Sequence, residues 1–258
     1  MSTKLIFNPL SPIFGIRKVF SQRINILIIE DNQHICHLLR EDFFRSPLFN
    51  KKEVNTFDGA KKAIFGSLSF HCWVLDLTLE DHNDGLELCK LKPNFPYCIV
   101  VSGAESMSDA TEALKNGAYG VHDKKVVFFS GPHQFIEEVC SLAVLSFMLK
   151  ARKPKKFEIF QLLVRGFIDT PEKWSYSCWI NARTFRRLCE EESSLTARQF
   201  LALFHALKAA TVSDCLLEGM IGFEELRDKI IQHVDFYEKS GEYVLNHLET
   251  VFGPRFLY

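Results

Sequence analysis

The chain has 258 residues, with 31 Lys and Arg against 32 Asp and Glu, so its formal net charge is −1. Hydrophobic residues make up 47% of the sequence, which predicts a globular protein and, at this length, two domains rather than one. The near-neutral balance excludes a whole-chain attraction to nucleic acid or to membranes. Eight cysteines without a C-x-x-C pair indicate neither a zinc site nor a disulfide framework, so we expect buried, reduced thiols in a cytoplasmic protein.

The first 23 residues contain Lys4, Arg17, Lys18 and Arg23 and no acidic residue. Prolines interrupt their apolar stretch, which argues against a signal peptide. No apolar run in the chain reaches the roughly 20 residues of a membrane span. We therefore predict that residues 1–23 form an arm and that the protein does not cross a membrane.

Segments typical of strands and helices alternate from Ile24 to Lys150. The predicted strands are INILIIE, VNTF, HCWVLDL, YCIVVSG and AYGVH, and the predicted helices are Gln33–Phe44, Gly85–Lys92, about Ser108–Lys115 and His133–Lys150. The first strand is apolar throughout, as expected for a strand buried on both faces. This alternation predicts an α/β domain, residues 24–150, with a doubly wound parallel sheet.

Polar side chains follow four of the five predicted strands. The first strand ends at Glu30 and Asp31, the third at Asp76, the fourth at Ser102, and the fifth leads to Lys124. Because the carboxyl ends of parallel strands meet at one edge of the sheet, we expect these side chains to converge. Three neighbouring carboxylates repel one another, and Mg²⁺, which prefers oxygen ligands, relieves that repulsion. The sequence therefore predicts a magnesium site there.

Asp76 is the candidate nucleophile of this site. A carboxylate can attack phosphorus to form an aspartyl phosphate, while Mg²⁺ and Lys124 neutralise the phosphoryl oxygens and Ser102 donates a hydrogen bond to one of them. A single aspartate at a strand end more commonly caps a helix or faces solvent. The joint pattern of acids, hydroxyl and lysine favours phosphoryl transfer.

The motifs ILIIED, VLDL with DGLEL, VVSG and GAYGVHDK resemble those of the receiver domain of two-component response regulators. The resemblance covers residues 24–150 and implies a five-stranded, flavodoxin-like sheet of order 2-1-3-4-5. It also implies phosphorylation of Asp76 by a histidine kinase or a phosphotransfer protein, with Glu30, Asp31, Asp76 and the backbone carbonyl of Thr78 holding Mg²⁺. One departure from the family pattern is Val121, at the position of an aromatic switch residue on the fifth strand.

The basic segment KARKPKK predicts a linker at residues 151–156, after which the pattern is helical. Residues 157–258 are predicted to form an all-α domain. Its predicted helices are Phe157–Phe167, Pro171–Cys178, Ala182–Glu192, Ala197–Val212, Phe223–Phe236 and Gly241–Phe252. Thr170, Asn181 and Thr196 are the expected N-caps of the second, third and fourth of these helices.

Residues 171–192 have the pattern of a helix, a tight turn and a second helix. Five apolar residues are expected to pack the two helices together: Trp174, Cys178, Ile180, Phe185 and Leu188. The segment NARTFRRLCEEESSLTARQFLALFHALKAA resembles an AraC-type helix-turn-helix domain, and YVLNHLETVFGPRF resembles its second helix-turn-helix more weakly. The resemblance implies DNA binding by Arg183, Thr184, Arg186 and Arg187.

The charge of the helical domain leaves two interpretations of its role open. Residues 151–258 contain 15 Lys and Arg and 15 Asp and Glu, whereas DNA-binding modules usually carry a positive surface. The first hypothesis is a transcription regulator that dimerises through its receiver domain. The alternative is a signalling adapter whose helical domain binds protein. No grouping of acid, base and nucleophile is seen in the helical domain, so we do not predict an enzyme.

Overall fold

A computed structural model describes residues 23–80, 84–91, 97–103, 107–150, 154, 156–165, 168, 170–216 and 228–230. Three sequence predictions lie wholly or mostly outside these residues. They are the N-terminal arm, the linker at 151–156, and the second helix-turn-helix with the last two helices.

Five parallel strands form one sheet. They are β1 (Ile24–Ile29), β2 (Phe49–Val54), β3 (Cys72–Leu75), β4 (Tyr97–Ser102) and β5 (Gly120–Asp123). Their order is β2-β1-β3-β4-β5, which is the order of the receiver fold. The predicted fold class is therefore confirmed. The three central strands are almost entirely buried, because helices cover both faces of the sheet.

Helices α1 (Gln33–His37) and α5 (His133–Met148) lie on one face of the sheet. Helices α2 (Phe57–Ile64), α3 (Asp84–Lys90) and α4 (Met107–Lys115) lie on the other face. α1 continues as a π-helical segment, Leu38–Phe43, and a second π-helical segment, Val126–Ser130, precedes α5. The two faces have separate apolar clusters, divided by the alternating side chains of β1, β3 and β4.

Two elements of this sheet domain differ from the sequence prediction. The second strand was expected at residues 54–57, but it occupies Phe49–Val54. It is an edge strand, half-exposed and containing two lysines, so it lacks the apolar run of the central strands. Helix α2 was not predicted. Its buried residues are Ala60 and Ala63, and the half-buried Phe57 and Ile64 pack beside them. The sequence prediction assigned Phe57 to the second strand, which removed the first apolar position of this amphipathic helix.

The described helices of the second region are α6 (Phe157–Arg165), α7 (Pro171–Ser177), α8 (Ala182–Ser193) and α9 (Ala197–Leu216). Trp174 is at their centre, with its ring 4.7 Å from Phe185 and its Nε1 donating to the carbonyl of Ile159 at 2.7 Å. The N-caps at Thr170 and Asn181 form as predicted. Thr196 and Gln199 exchange reciprocal hydrogen bonds at the start of α9, as in a capping box.

The helical region packs directly on the sheet domain through α5 and α9. Most of α5 is buried, with the sheet on one side and α9 on another. The apolar cluster on this face of the sheet is therefore continuous with the core of the helical region. Among the described helices, none is both long and apolar enough to cross a bilayer.

Polar contacts fix the junction between the two regions. Ser46 donates its hydroxyl to Asp214 Oδ2 at 2.9 Å, and Arg45 Nε donates to the Asp214 carbonyl at 2.9 Å. On α5, Glu137 pairs with Lys208 of α9 at 2.7 Å. The helical region is thus held by charge and hydrogen bonds as well as by its apolar face.

Candidate functional site: an acidic pocket at the edge of the sheet

The parallel pairing of the strands brings their carboxyl ends together. Ile29 pairs with Leu75, and Leu75 pairs with Val100, so the residues that follow β1, β3 and β4 lie at one edge. Asp76 extends this pairing by donating its backbone N–H to the Ile29 carbonyl at 2.9 Å. The convergence expected from the sequence therefore follows from the register of the sheet.

Asp76 is buried at the centre of this edge. Its Oδ1 accepts a hydrogen bond from the Ser102 hydroxyl at 2.8 Å and from the backbone N–H of Thr78 at 3.2 Å. Its Oδ2 lies 2.5 Å from the Lys124 ammonium. The carboxylate is therefore held in one orientation by Ser102 at the end of β4, by Lys124 just after β5 and by its own loop.

Glu30 and Asp31 complete the acidic group. Carboxylate oxygens of Glu30, Asp31 and Asp76 all lie within 4.8 Å of one another. Glu30 and Asp76 are buried, whereas Asp31 is exposed to solvent. Three carboxylates with one open side suit a hard cation that keeps some of its water, so the donor set fits Mg²⁺. The predicted contribution of the Thr78 carbonyl remains a prediction.

Burial shifts the pKa of the Glu30 carboxyl group. It raises the pKa of Glu30 to about 7; the Asp76 charge also raises this pKa, while the hydrogen bond from Lys124 lowers it. Asn32 donates its backbone N–H to Glu30 Oε1 at 3.2 Å, and its side chain caps α1. The start of α1 therefore positions Glu30.

Lys124 links the two buried acids. Its ammonium lies 2.8 Å from Glu30 Oε2 as well as 2.5 Å from Asp76 Oδ2. Burial lowers the pKa of Lys124, but its hydrogen bonds and ion pairs with Asp76 and Glu30 outweigh that effect, so the pKa lies above its ordinary value. Lys124 is therefore a fixed positive charge in this pocket.

Gly85 determines how closely α3 approaches the loop that carries Asp76. A Cβ built on Gly85 would lie 2.4 Å from the Asp76 carbonyl oxygen and 2.4 Å from Leu77 Cα. The Gly85 N–H donates to the Leu77 carbonyl at 3.1 Å. No side chain fits there, so glycine allows α3 to support this loop. The sequence prediction placed Gly85 at a helix start but did not foresee this contact.

The predicted DNA-contact residues lie on α8, within the helical region. Arg183, Arg186 and Arg187 are exposed, while Phe185 on the opposite side of α8 is buried. Thr184 is half-buried, and its N–H is capped by Asn181 Oδ1 at 2.9 Å. The arginines occupy positions i, i+3 and i+4, so they share one helix face. The next turn of that face is acidic, and Arg187 lies 3.5 Å from Glu191.

A link between the pocket and the helical region was not foreseen. Tyr119 precedes β5, the strand that leads to Lys124, and its hydroxyl accepts a hydrogen bond from Arg165 of α6 at 3.2 Å. The Arg165 guanidinium also lies over the Tyr119 ring, 5.2 Å from its centroid. Tyr119 belongs to the quoted motif GAYGVHDK, but Arg165 belongs to no motif, so only the packing of α6 reveals the contact.

No protein-family model matches this chain, and neither does any curated protein sequence. Solved structures of similar fold include a CheY-like response regulator receiver domain protein from Methanospirillum hungatei. The two are 23% identical over 46% of this chain and 90% of that one, with a TM-score of 0.39.

A second similar structure is a response regulator from Burkholderia pseudomallei with a phosphorylated aspartic acid. It is 21% identical over 63% of this chain and 96% of that one, with a TM-score of 0.38. A third is described as the signal receiver domain of a LuxO repressor protein from Vibrio parahaemolyticus. It is 21% identical over 40% of this chain and 78% of that one, with a TM-score of 0.36.

Proposed function

We propose that this protein is a response regulator whose phosphoacceptor is Asp76. The observation that supports this most directly is the environment of its carboxylate. One oxygen accepts from Ser102 at 2.8 Å and the other lies 2.5 Å from Lys124, beside two further carboxylates. Phosphoryl transfer uses such groups to position the nucleophile and to neutralise the charge on the phosphoryl oxygens.

In the proposed step, a carboxylate oxygen of Asp76 attacks the phosphorus of a phosphohistidine or of an acyl phosphate. An O–P bond forms, and the bond from phosphorus to the donor breaks, with its electron pair leaving on the donor. Lys124 and Ser102 then transfer their contacts from the Asp76 carboxylate to the oxygens of the incoming phosphoryl group. The partner is accordingly a histidine kinase or a phosphotransfer protein.

Glu30, Asp31 and Asp76 would hold Mg²⁺, with the Thr78 carbonyl as the fourth predicted protein ligand. When bound, Mg²⁺ supplies positive charge that neutralises the phosphoryl oxygens. Two residues of the chain complete the site: Lys124 supplies a permanent positive charge, and Gly85 keeps the Asp76 loop in place.

The proposed output is DNA binding by the helical region and regulation of transcription. The exposed arginine face of α8 supports this, because arginine binds phosphates and guanine edges. The contact between Arg165 and Tyr119 joins α6 to the strand that leads to Lys124, which gives phosphorylation a route to the helical region. A homodimer through the receiver domain stays a prediction. Because α9 covers α5, α4 offers more free surface for such a contact.

The adapter hypothesis remains the second candidate, and the observation that favours it is the acidic continuation of the α8 face. Glu190, Glu191 and Glu192 begin three residues after Arg187. Binding of a protein partner would leave the phosphorylation chemistry unchanged and would replace only the output.

The phosphorylation proposal is tested by incubating the protein with Mg²⁺ and acetyl phosphate and measuring intact mass. The wild type is expected to gain the mass of one phosphoryl group, and Asp76→Asn is expected to gain none. Asp58→Asn, which changes an exposed aspartate on α2, should behave as the wild type. Phosphorylation that persists in Asp76→Asn would refute the proposal.

The output proposal is tested by gel shift and footprinting on genomic DNA fragments at moderate salt. We expect a preferred sequence whose affinity changes after acetyl phosphate treatment and does not change in Asp76→Asn. If no sequence is bound better than random DNA, and a protein partner co-purifies, the adapter hypothesis replaces transcription control.

A further inference from the structure

An exposed aromatic pair lies at the turn between α7 and α8. The side chain of Tyr176 is 79% exposed and that of Trp179 is 91% exposed. Their rings are nearly parallel, at 23° with centroids 6.3 Å apart. The other two tryptophans, Trp73 and Trp174, are buried. Single exposed apolar residues are common, but two large rings that lie side by side in water form a small apolar patch, and such a patch points to binding.

The backbone at Trp179 strengthens this interpretation. The Trp179 N–H donates to the Tyr176 carbonyl, and the Ile180 N–H donates to the Ser175 carbonyl, which is the Schellman pattern at a helix end. Trp179 occupies the left-handed position of that pattern, with φ of 55°. Glycine is the usual residue there because any Cβ is unfavourable. The chain therefore places an exposed tryptophan where stability alone favours glycine.

Positive charge follows the pair closely in the sequence. Arg183 and Arg186 follow Trp179 by four and seven residues and lie on the exposed face of α8. Exposed aromatic rings on a turn, followed by exposed guanidinium groups on the next helix, suit a partner that offers both flat rings and negative charge. Nucleic acid offers both, since each base has a π-face and each nucleotide a phosphate. An acidic peptide offers the charge without a regular supply of flat rings.

We propose that Tyr176 and Trp179 form a stacking surface for unpaired DNA bases, with Arg183 and Arg186 binding the adjacent phosphates. This deepens the proposed DNA-binding output and rests on it. It adds that the helical region prefers DNA in which a base is unstacked or single-stranded. The α7–α8 turn, and not α8 alone, then contributes to affinity.

The experiment uses the full chain and a labelled oligodeoxynucleotide of about 20 nucleotides and mixed sequence, long enough for at least one site. The same sequence as a duplex and poly-glutamate are the comparison ligands. We expect the single strand to bind more tightly than the duplex and to quench tryptophan fluorescence. Trp179→Ala should lose that quenching and weaken single-strand binding roughly tenfold, the loss of about one stacked base.

Two variants separate stacking from a general loss of structure. Trp179→Phe retains a flat ring and should bind within about threefold of the wild type, which corresponds to less than 1 kcal/mol. Phe65→Ala removes an exposed ring far along the chain, 60% exposed at the end of α2, and should bind as the wild type. Circular dichroism of each variant verifies folding.

Three results would overturn the inference: equal binding of single strand and duplex without quenching, binding unchanged in Trp179→Ala, or binding of poly-glutamate instead of DNA. Failure here is distinguishable from failure of the proposed function. If the protein binds a specific duplex sequence and Trp179→Ala does not weaken that binding, only the stacking surface is refuted. Conversely, single-strand binding by a chain whose Asp76 accepts no phosphoryl group refutes the phosphoacceptor alone.

Discussion

The acidic pocket and the arginine face of α8 use charged side chains in opposite ways. In the pocket, Glu30, Asp76 and Lys124 each directly follow a different strand and are largely buried. On α8, the arginines are close neighbours in sequence and are exposed to water. Charges that are buried depend strongly on one another, because removing one leaves the others uncompensated. Charges on an exposed helix face act almost independently.

The largest expected effect is that of Lys124→Ala. Removing the ammonium leaves Asp76 and Glu30 buried together and removes the positive charge that faces the phosphoryl oxygens. We expect the phosphorylation rate with acetyl phosphate to fall roughly 100- to 1000-fold, as for other losses of a charge-stabilising donor. Lys125→Ala changes the next residue, which is exposed, and serves as the matched control. If Lys124→Ala and Lys125→Ala are phosphorylated at similar rates, the Lys124 charge does not contribute to phosphorylation.

Gly85→Ala tests the backbone support of the pocket. The new methyl group would lie 2.4 Å from backbone atoms of Asp76 and Leu77, so α3 or the loop must move. We expect a loss of about 3 kcal/mol in the free energy of unfolding, measured by urea denaturation, together with slower phosphorylation. Gly103→Ala, whose nearest contact would be 3.9 Å away at Lys124 Cδ, should change stability much less.

Asp214→Asn examines a buried charge outside the pocket, at the junction of α9 with the sheet domain. Burial raises the pKa of Asp214 to about 6, although Ser46, Arg45 and Lys229 oppose that rise. A carboxyl group whose pKa is raised by folding binds its proton more tightly in the folded state. Its contribution to the free energy of unfolding is therefore lost as the pH rises from about 4 to about 6.

Asp214→Asn should therefore be about 2 kcal/mol more stable than the wild type at pH 8 and no more stable at pH 4. Denaturation curves at a series of pH values measure this difference. Asp58→Asn provides an exposed control. A difference that does not change with pH would show that the Asp214 carboxyl is not the titrating group.

The smallest effect on folding is expected for Arg186→Ala, on the exposed face of α8. The free energy of unfolding should change by less than about 0.5 kcal/mol. Duplex DNA affinity should nevertheless fall, and the dependence of log affinity on log salt should become shallower by about one unit. An unchanged salt dependence would remove this arginine from the DNA contact.

Features fixed by topology or by local chemistry could be predicted from the sequence, whereas contacts between distant residues could not. Convergence at Asp76 followed from the parallel strands alone, because topology fixes where their ends meet. The caps at Asn181 and Thr170 followed from local chemistry. Helix α2 was missed because its first apolar residue, Phe57, was assigned to the second strand. The junction at Asp214 was missed because a contact between residues 168 positions apart leaves no periodic trace in the sequence.

Placing α5 between the sheet and α9 has a consequence for modularity. In a chain cut after Lys150, much of α5 would lose its cover, so such a fragment is expected to aggregate. For the same reason, a foreign effector module could not simply be fused in place of α6 to α9. Evolution of a new output from this architecture would have to proceed by changing residues at the helical surface, not by exchanging whole modules.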